Sequence, residues 1–335
     1  MKKRFFLPIL LVLSLFASCS GMIEQPGFVS IFSGHDGSIT LKNIAQSQNN
    51  EITLGFEGLV KNIQVYALRE NAIEEIACTV QELNTEENTT IKAAASANDE
   101  ISIFKITPLS SFGIGEAFKI CGKVKAGLNE VLDFELPFKG SNNNPAELSF
   151  SSLKVGSASK PGFIKFSVKK SGNLFGINLV NAGNSKEPDY VFPAFEVKEG
   201  NTIVFYWFLP LDGSEPEDGV LVSAADCDAL VQGEKAFCFW GKLQKFQPKK
   251  TNAIIIKTGQ DGTLQDAVLF RNPNDETWGK EEVEQAALEA AEAGLWNPDG
   301  DILNAVQVKM TPTKLIKRIS QETINHDAGD WVLPK

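Results

Sequence analysis

Phe163-Ile164-Lys165-Phe166-Ser167-Val168, Asn173-Leu174-Phe175-Gly176-Ile177-Asn178-Leu179, Val191-Phe192-Pro193-Ala194-Phe195-Glu196-Val197-Lys198-Glu199-Gly200 and Thr202-Ile203-Val204-Phe205-Tyr206-Trp207-Phe208-Leu209 follow one another with Gly, Asn, Pro or Ser between them. β-Branched and aromatic side chains pack best on a pleated surface, and turn formers between such runs let the chain reverse. The four runs therefore read as successive antiparallel strands, and helical spacing does not fit them.

Strand chemistry of the same kind extends toward the N-terminus. Phe28–Phe32, Ser38–Leu41, Ile52–Phe56, Ile63–Leu68, Ile101–Ile106, Ala117–Val124 and Val131–Phe138 are short alternating runs with turn signals between them. Such spacing favours an antiparallel sandwich. Glu82–Asp99, polar and then Ala-rich, is either a long loop or a short helical excursion. Gly140-Ser141-Asn142-Asn143-Asn144-Pro145 breaks the pattern with polar turn formers ending in proline. It reads as a linker between two domains, which the length of 335 residues and the 43% apolar content both allow.

Beyond the second strand series, Glu281–Ala293 is rich in Ala and Glu, with Val283, Ala286, Ala287, Ala290 and Ala293 at helical spacing and Gly294 set to end the helix. Trp278 and Trp296 bracket it. They either staple the helix to a sheet or form a partner-binding ridge with it.

The first residues are an address rather than fold. Lys2, Lys3 and Arg4 precede an apolar run, Phe5–Phe16, too short to span a bilayer, and the small residues Ala17 and Ser18 precede Cys19. Leu15-Phe16-Ala17-Ser18-Cys19 resembles the bacterial lipobox, with Phe16 where that family prefers Leu. The resemblance implies a signal peptide over 1–18 and a diacylglycerol group on the Cys19 thiol; the plainer reading is a cleaved signal with an incidental cysteine. Two or more acyl chains, at about 0.8 kcal/mol per buried CH₂, anchor a protein firmly. Residues 19–26 then form a lipidated tether reaching at most about 25 Å.

Cleavage removes three positive charges, taking the net charge from −10 to −13. So acidic a body is not drawn to nucleic acid or anionic headgroups, and the membrane partner is reached through the lipid. Protein or glycan partners are expected, with no nucleic acid. Four cysteines remain, Cys78, Cys121, Cys227 and Cys238. An even number in an exported chain suggests disulfides, Cys78 with Cys121 and Cys227 with Cys238 being favoured because each pair lies within one domain. Their apolar neighbours equally suit buried free thiols.

Two resemblances refine the fold. Gly122–Asn129 followed by Asp133-Phe134 resembles the last strands of bacterial Ig-like domains. Phe163–Phe166, Gly172–Leu179, Tyr190–Pro193 and Val197–Val204, followed by Asp266–Arg271 and then Arg318-Ile319 with Gly329-Asp330-Trp331, resemble the bacterial lamin-tail domain. Lys165 replaces the acid common in that family's first strand. The resemblance implies an Ig-like sandwich that binds or scaffolds, with no catalytic residues to carry over.

The expectation is therefore an all-β chain of two Ig-like antiparallel β-sandwiches in tandem: 27–140, a linker over 141–146, and 147–335 with a helical insertion near 277–294. Other chemistry finds thin support. His35 and His326 lie in polar turns, and no G-x-x-x-x-G-K-[ST] phosphate loop occurs. Acidic turns carrying Asp212, Glu215 and Asp218, and Asp299 and Asp301, are candidate calcium loops, although neither has EF-hand spacing. No cofactor besides the lipid is otherwise expected. The function expected is a non-catalytic binding or scaffold module anchored to the outer membrane of a bacterial envelope. The alternative is an envelope hydrolase with an acid-only or metal-assisted loop site.

Overall fold

The computed structural model describes residues 30–33, 39–47, 49–70, 74–83, 101–126, 131–157, 161–209, 216–242, 248–259 and 262–334. The leader, Cys19, the tether, His35, residues 84–99, the 127–130 turn, Asp212 and Glu215 lie outside them. The chain is mostly strand with one α-helix among the described residues, as the all-β expectation required. It divides into two compact units.

The first unit holds β1 (Ser30–Ser33), β2 (Thr40–Gln46), β3 (Ile52–Glu57), β4 (Asn62–Arg69), β5 (Glu75–Leu83), β6 (Ile101–Pro108), β7 (Ala117–Lys125) and β8 (Val131–Lys139). Their order is β1-β8-β7-β4-β5-β6-β3-β2, with β1–β8, β7–β4, β4–β5, β5–β6, β6–β3 and β3–β2 antiparallel. β5 is shared: Glu75, Ile76 and Ala77 pair with β4, whereas Cys78 to Leu83 pair with β6. The sheet folds over at this strand, so its two halves face one another. Phe56 of β3 thereby meets Phe134 of β8, ring centres 5.9 Å apart. β8 alternates buried and half-buried side chains along Val131–Phe138, the period-two pattern of a strand with one face in a core.

The second unit opens with β9 (Glu147–Gly156), β10 (Pro161–Lys170), β11 (Gly172–Asn173), β12 (Asn178–Asn181), β13 (Tyr190–Val191), β14 (Glu196–Val197), β15 (Thr202–Tyr206) and β16 (Val220–Ser223). It continues with β17 (Lys235–Trp240), β18 (Asn252–Lys257), β19 (Leu264–Arg271), α1 (Glu281–Glu292), β20 (Val306–Gln307), β21 (Leu315–Arg318) and β22 (Trp331–Val332). A seven-stranded sheet, β16-β17-β15-β10-β9-β21-β22, and a five-stranded sheet, β13-β12-β18-β19-β20, enclose one large apolar core. β11 and β14 form a separate pair.

Two pairings depart from the antiparallel expectation: β15 runs parallel to β17 (Ile203↔Phe237), and β19 runs parallel to β20 (Phe270↔Val306). A parallel pair needs a long crossover. Here the chain uses residues 207–234 for the first, including β16, and 272–305 for the second, including α1.

α1 forms where the sequence places it. Glu281, Glu282 and Glu284 occupy its first turn, the favourable end of the helix dipole for anions. Gly294 (φ +71°) ends it in a Schellman motif, with Gly294 N–H donating to Ala291 O and Leu295 N–H to Ala290 O. Val283, Ala286, Ala287 and Ala290 are buried, and the helix packs on β18 and β19. Asn252–Ile256 of β18 is consequently buried on both faces, one toward the core and one beneath the helix.

Trp278 and Trp296 do not form a partner surface. Both are buried, the indole N–H of Trp278 donating to Gly300 O (3.0 Å) and that of Trp296 to Asn304 O (3.2 Å), so they clasp the helix. Nor is 141–146 a free linker. Ser141 and Asn142 are buried, and the Asn142 amide donates to the Asn173 and Phe175 carbonyls at 2.9 Å each. Asn142 stands there because its side chain satisfies backbone groups inside the second unit.

Candidate functional site

A buried charged pair lies between the two sheets of the second unit. Residues 148–150 of β9 extend beyond the part of that strand paired with β21, which covers Ser152, Leu153 and Lys154. A buried strand edge must find other partners for its N–H and C=O groups. β19 and β21 supply them from side chains. Gln265 accepts from Leu148 N–H and donates to Ala146 O, both at 3.0 Å. Asp266 Oδ2 accepts from Phe150 N–H (2.8 Å) and from the Ser149 hydroxyl (2.9 Å), while Oδ1 accepts from its neighbour Ala267 N–H (2.8 Å).

Arg318 completes the arrangement. Its guanidinium grips Asp266 through two bonds, Nη1 to Oδ2 at 2.6 Å and Nη2 to Oδ1 at 3.0 Å, and Nη1 also donates to Phe150 O at 3.1 Å. The side chains of both partners are fully buried, at 0% and 2% exposure. The Trp331 ring lies 4.9 Å from the guanidinium carbon, within cation–π range. Gln321 donates to the same Phe150 carbonyl at 2.9 Å. The turn carrying Trp331 is organised by Asp330, whose carboxylate accepts from the Asn325 and His326 backbone N–H groups. His326, in left-handed conformation (φ 57°), sets its Nδ1 3.9 Å from Asp266 Oδ1. The closing Arg and Asp-Trp signature is thus a clamp on β9. Its carboxylate oxygens are committed to backbone and guanidinium donors, which is a structural use of charge.

The second polar place is chemically more reactive. On the face of the seven-stranded sheet turned away from the main core, Phe163, Val204, Cys227, Leu230, Ala236 and Cys238 form a small cluster of their own. The loop from Ser223 to Glu234 covers it. Lys154 reaches Asp228 at 3.2 Å and Lys165 reaches Glu234 at 2.6 Å, so the loop is fastened at both sides by lysines of β9 and β10. Lys165, the residue that departs from the lamin-tail pattern, serves as one of these fasteners.

Cys227 and Cys238 share this cluster, and the Tyr206 hydroxyl lies 3.1 Å from the Cys227 sulfur and 3.2 Å from Asp228 Oδ1. The Cys238 thiol holds Cys227 down to about 6, helped by Tyr206 and the Ala229 N–H and opposed by burial. Cys238, giving up its proton last, is pushed up by the same contact and by burial. Tyr206 is also pushed up, mainly by burial. Sequence composition singled out the two cysteines; Tyr206 and Asp228 carry no local signal that sets them beside a thiol.

The other expected pair is not brought together. Tyr66 stands opposite Cys121 on one side and Ala77 on the other, so Cys121 and Cys78 are separated by the whole of β4. Two strand spacings amount to about 9.6 Å, beyond disulfide reach. Cys121 shares the outer face with Tyr66, whereas Cys78, next along from Ala77, faces the other way. All four cysteines are free thiols in this structure. Burial pushes Cys78 up to about 11.

The acidic turns serve as caps. Asp299 accepts from Asp301 N–H (2.9 Å) and the Asn304 amide (2.7 Å), and Asp301 caps a 3₁₀ turn by accepting from Leu303 N–H (2.7 Å). Asp218 accepts from Trp240 N–H at 3.2 Å. Among the described residues no three His, Cys, Asp or Glu side chains converge as metal ligands. Phe205, Trp207 and Phe208 are buried and Tyr206 is half-buried, because both faces of β15 are covered. A cleft of about 590 Å³ runs beside α1, lined by Glu187, Asp189, Lys257, Glu282 and Glu289 among others. Burial raises Asp189 there, with Lys257 opposing.

Comparison with known proteins bears on the second unit. The TP_1001_2nd model, described as a protein second domain, matches residues 146–333, more than half of the chain. The chain belongs to the TP_1001_2nd family. The matched span runs from Ala146, whose carbonyl Gln265 holds, to Leu333 just past Trp331, so the family domain includes the whole clamp. A protein of Treponema pallidum (strain Nichols), described as an uncharacterized protein, is 28% identical over 354 residues, covering 97% of this chain and 88% of its own length. No solved structure matches the chain.

Proposed function

We propose that this member of the TP_1001_2nd family is a lipid-anchored lipoprotein of a bacterial envelope, held to the outer membrane through Cys19. Its two units act without catalysis, as binding or scaffold modules for protein or glycan partners. The finer reading of the fold belongs to the same proposal: an N-terminal Ig-like sandwich in tandem with a lamin-tail-like one. The observation that carries it is the leader, where a basic segment, the short apolar run Phe5–Phe16 and Ala17-Ser18-Cys19 stand in the order that lipoprotein processing needs.

The arrangement of the second unit supports a binding role. β16 ends the order of the seven-stranded sheet, and Leu221 on it is 54% exposed. Val231, on the loop over the same face, is 63% exposed. Apolar side chains beside a sheet edge suit a partner that adds a strand or packs an apolar strip there.

The test is metabolic labelling with palmitate in a bacterial host that processes lipoproteins. Wild-type chain takes the label and sediments with membranes, while Cys19→Ser remains unlabelled. A label retained in Cys19→Ser, or none in the wild type, overturns the anchor. Protease treatment of labelled intact cells then tells a surface-exposed body from a periplasmic one.

A further inference from the structure

We propose that Cys227 and Cys238 form a disulfide that staples the loop from Ser223 to Glu234 onto the outer face of the seven-stranded sheet. The inference does not rest on the anchor proposed above. It rests on placement. Cys238 lies in β17, paired with Val204 of β15 on one side and Val220 of β16 on the other, so its position is fixed by two ladders. Cys227 sits in the covering loop, with Leu230 N–H closing back on its carbonyl at 3.1 Å. The two side chains are packed in one small apolar cluster, while Cys78 and Cys121 lie in the other unit.

The environment assigns a role to each sulfur. Cys227, with its depressed thiol and the Tyr206 hydroxyl beside it, is the attacking thiolate. It attacks one sulfur of an external disulfide, forming a mixed disulfide and releasing one thiolate of that reagent. Cys238 then loses its proton to solvent and displaces the second reagent thiolate, closing the Cys227–Cys238 bond. Two protein thiols are oxidised by two electrons, and one disulfide of the donor is reduced to two thiols. The donor class is a protein or small-molecule disulfide. The fasteners Lys154–Asp228 and Lys165–Glu234 hold the loop in register for the second step.

The cross-link bounds a surface it can stiffen. Ser223, Ala225, Leu230, Gly233 and Lys235 line a shallow cleft at the loop, beside the exposed Val231. Stapled, the cleft keeps one shape; reduced, it depends on the two ion pairs and a few apolar contacts.

The experiment treats the purified chain with oxidised glutathione or with dithiothreitol, unfolds it in the presence of iodoacetamide, and maps the peptides. After oxidation, Cys78 and Cys121 carry the alkyl group and a single cross-linked peptide joins Cys227 to Cys238; after dithiothreitol all four are alkylated. Cys238→Ser should trap glutathione on Cys227, identifying the attacking sulfur. Limited proteolysis of the wild type should cut within 223–234 about tenfold faster or more once reduced, the direction set by loop-closure entropy. Alkylation of Cys227 and Cys238 after oxidation overturns the disulfide, as does a link to Cys78 or Cys121. A mapped cross-link without any change in proteolysis overturns the staple.

Discussion

The two units differ in the charge they bury. In the first, Lys42–Glu57, Lys105–Glu51 and Lys123–Asp133 are ion pairs on half-exposed strand faces, and the interior is left to aromatic rings such as Phe56, Phe104 and Phe134. In the second, Asp266 and Arg318 are sealed in the core and satisfy a strand edge that no ladder reaches. Exposed pairs contribute little and help set register, whereas a buried pair becomes indispensable once the fold depends on its hydrogen bonds. One all-β chain thus contains a unit whose described ion pairs stay on strand faces and a unit that packs around a polar clamp.

Breaking the clamp should give the largest effect. Asp266→Ala leaves the Arg318 guanidinium uncompensated and Phe150 N–H unpaired, and should destabilise the second unit by about 3–5 kcal/mol. All five tryptophans, Trp207, Trp240, Trp278, Trp296 and Trp331, lie in the second unit, so urea unfolding followed by tryptophan fluorescence reports on it directly. Removing the partner as well, in Asp266→Ala with Arg318→Met, should recover part of the loss, because the stranded charge goes with it. A single variant within about 0.5 kcal/mol of wild type would mean that the pair is a passenger in the core.

The difference between the units also explains what the sequence could disclose. Strands of the first unit were legible wherever one face meets the core, as in Phe118-Lys119-Ile120 or Leu132-Asp133-Phe134, because burial imposes period two. The end of β5 escaped notice because Thr79–Glu82 is exposed throughout, the apolar Val80 included, so burial writes no alternation into it. The helix was legible from its Ala face and Gly294, whereas Arg318 and Trp331 stood out through a resemblance in motif order rather than through their surroundings. Asp266 stood in view only as the head of an apolar run; its partner is 52 residues away, and local composition carries no signal for a pairing across sheets. Parallel β15–β17 was illegible for the same reason, since strand chemistry does not encode direction. Polar turn residues misled in the opposite sense, Ser141 and Asn142 reading as linker when both are buried and the Asn142 side chain serves backbone carbonyls.

A packing lesion in the first unit should rank second. A Cβ on Gly122 would stand 2.4 Å from Phe134 Cζ and 2.9 Å from the Gln64 carbonyl, which is backbone and cannot swing aside. Phe134 is also the ring that meets Phe56 across the fold. Gly122→Ala should therefore cost about 1–3 kcal/mol. The loss should appear in the far-ultraviolet dichroism transition while the tryptophan transition stays in place. A tryptophan transition that moves equally would mean that the two units unfold as one.

The smallest effect should come from the surface pairs, and its smallness is what the contrast with the clamp requires. Lys123 and Asp133 sit 3.2 Å apart on neighbouring strands, each side chain 47% exposed, so water screens the attraction and holding two side chains still costs entropy. Lys123→Ala should change the stability of the first unit by about 0–1 kcal/mol, and the double variant with Asp133→Ala should show a coupling of the same small size. Raising the salt from 0.05 M to about 0.5 M should erase most of that coupling, since the screening length shortens to a few ångströms. Applied to Asp266 and Arg318, the same salt change should leave the coupling in place, because no counter-ion reaches a sealed pair. A coupling at Lys123–Asp133 that survives high salt would mean that the face is shielded as the core is, and the distinction between the units would then lie in packing alone.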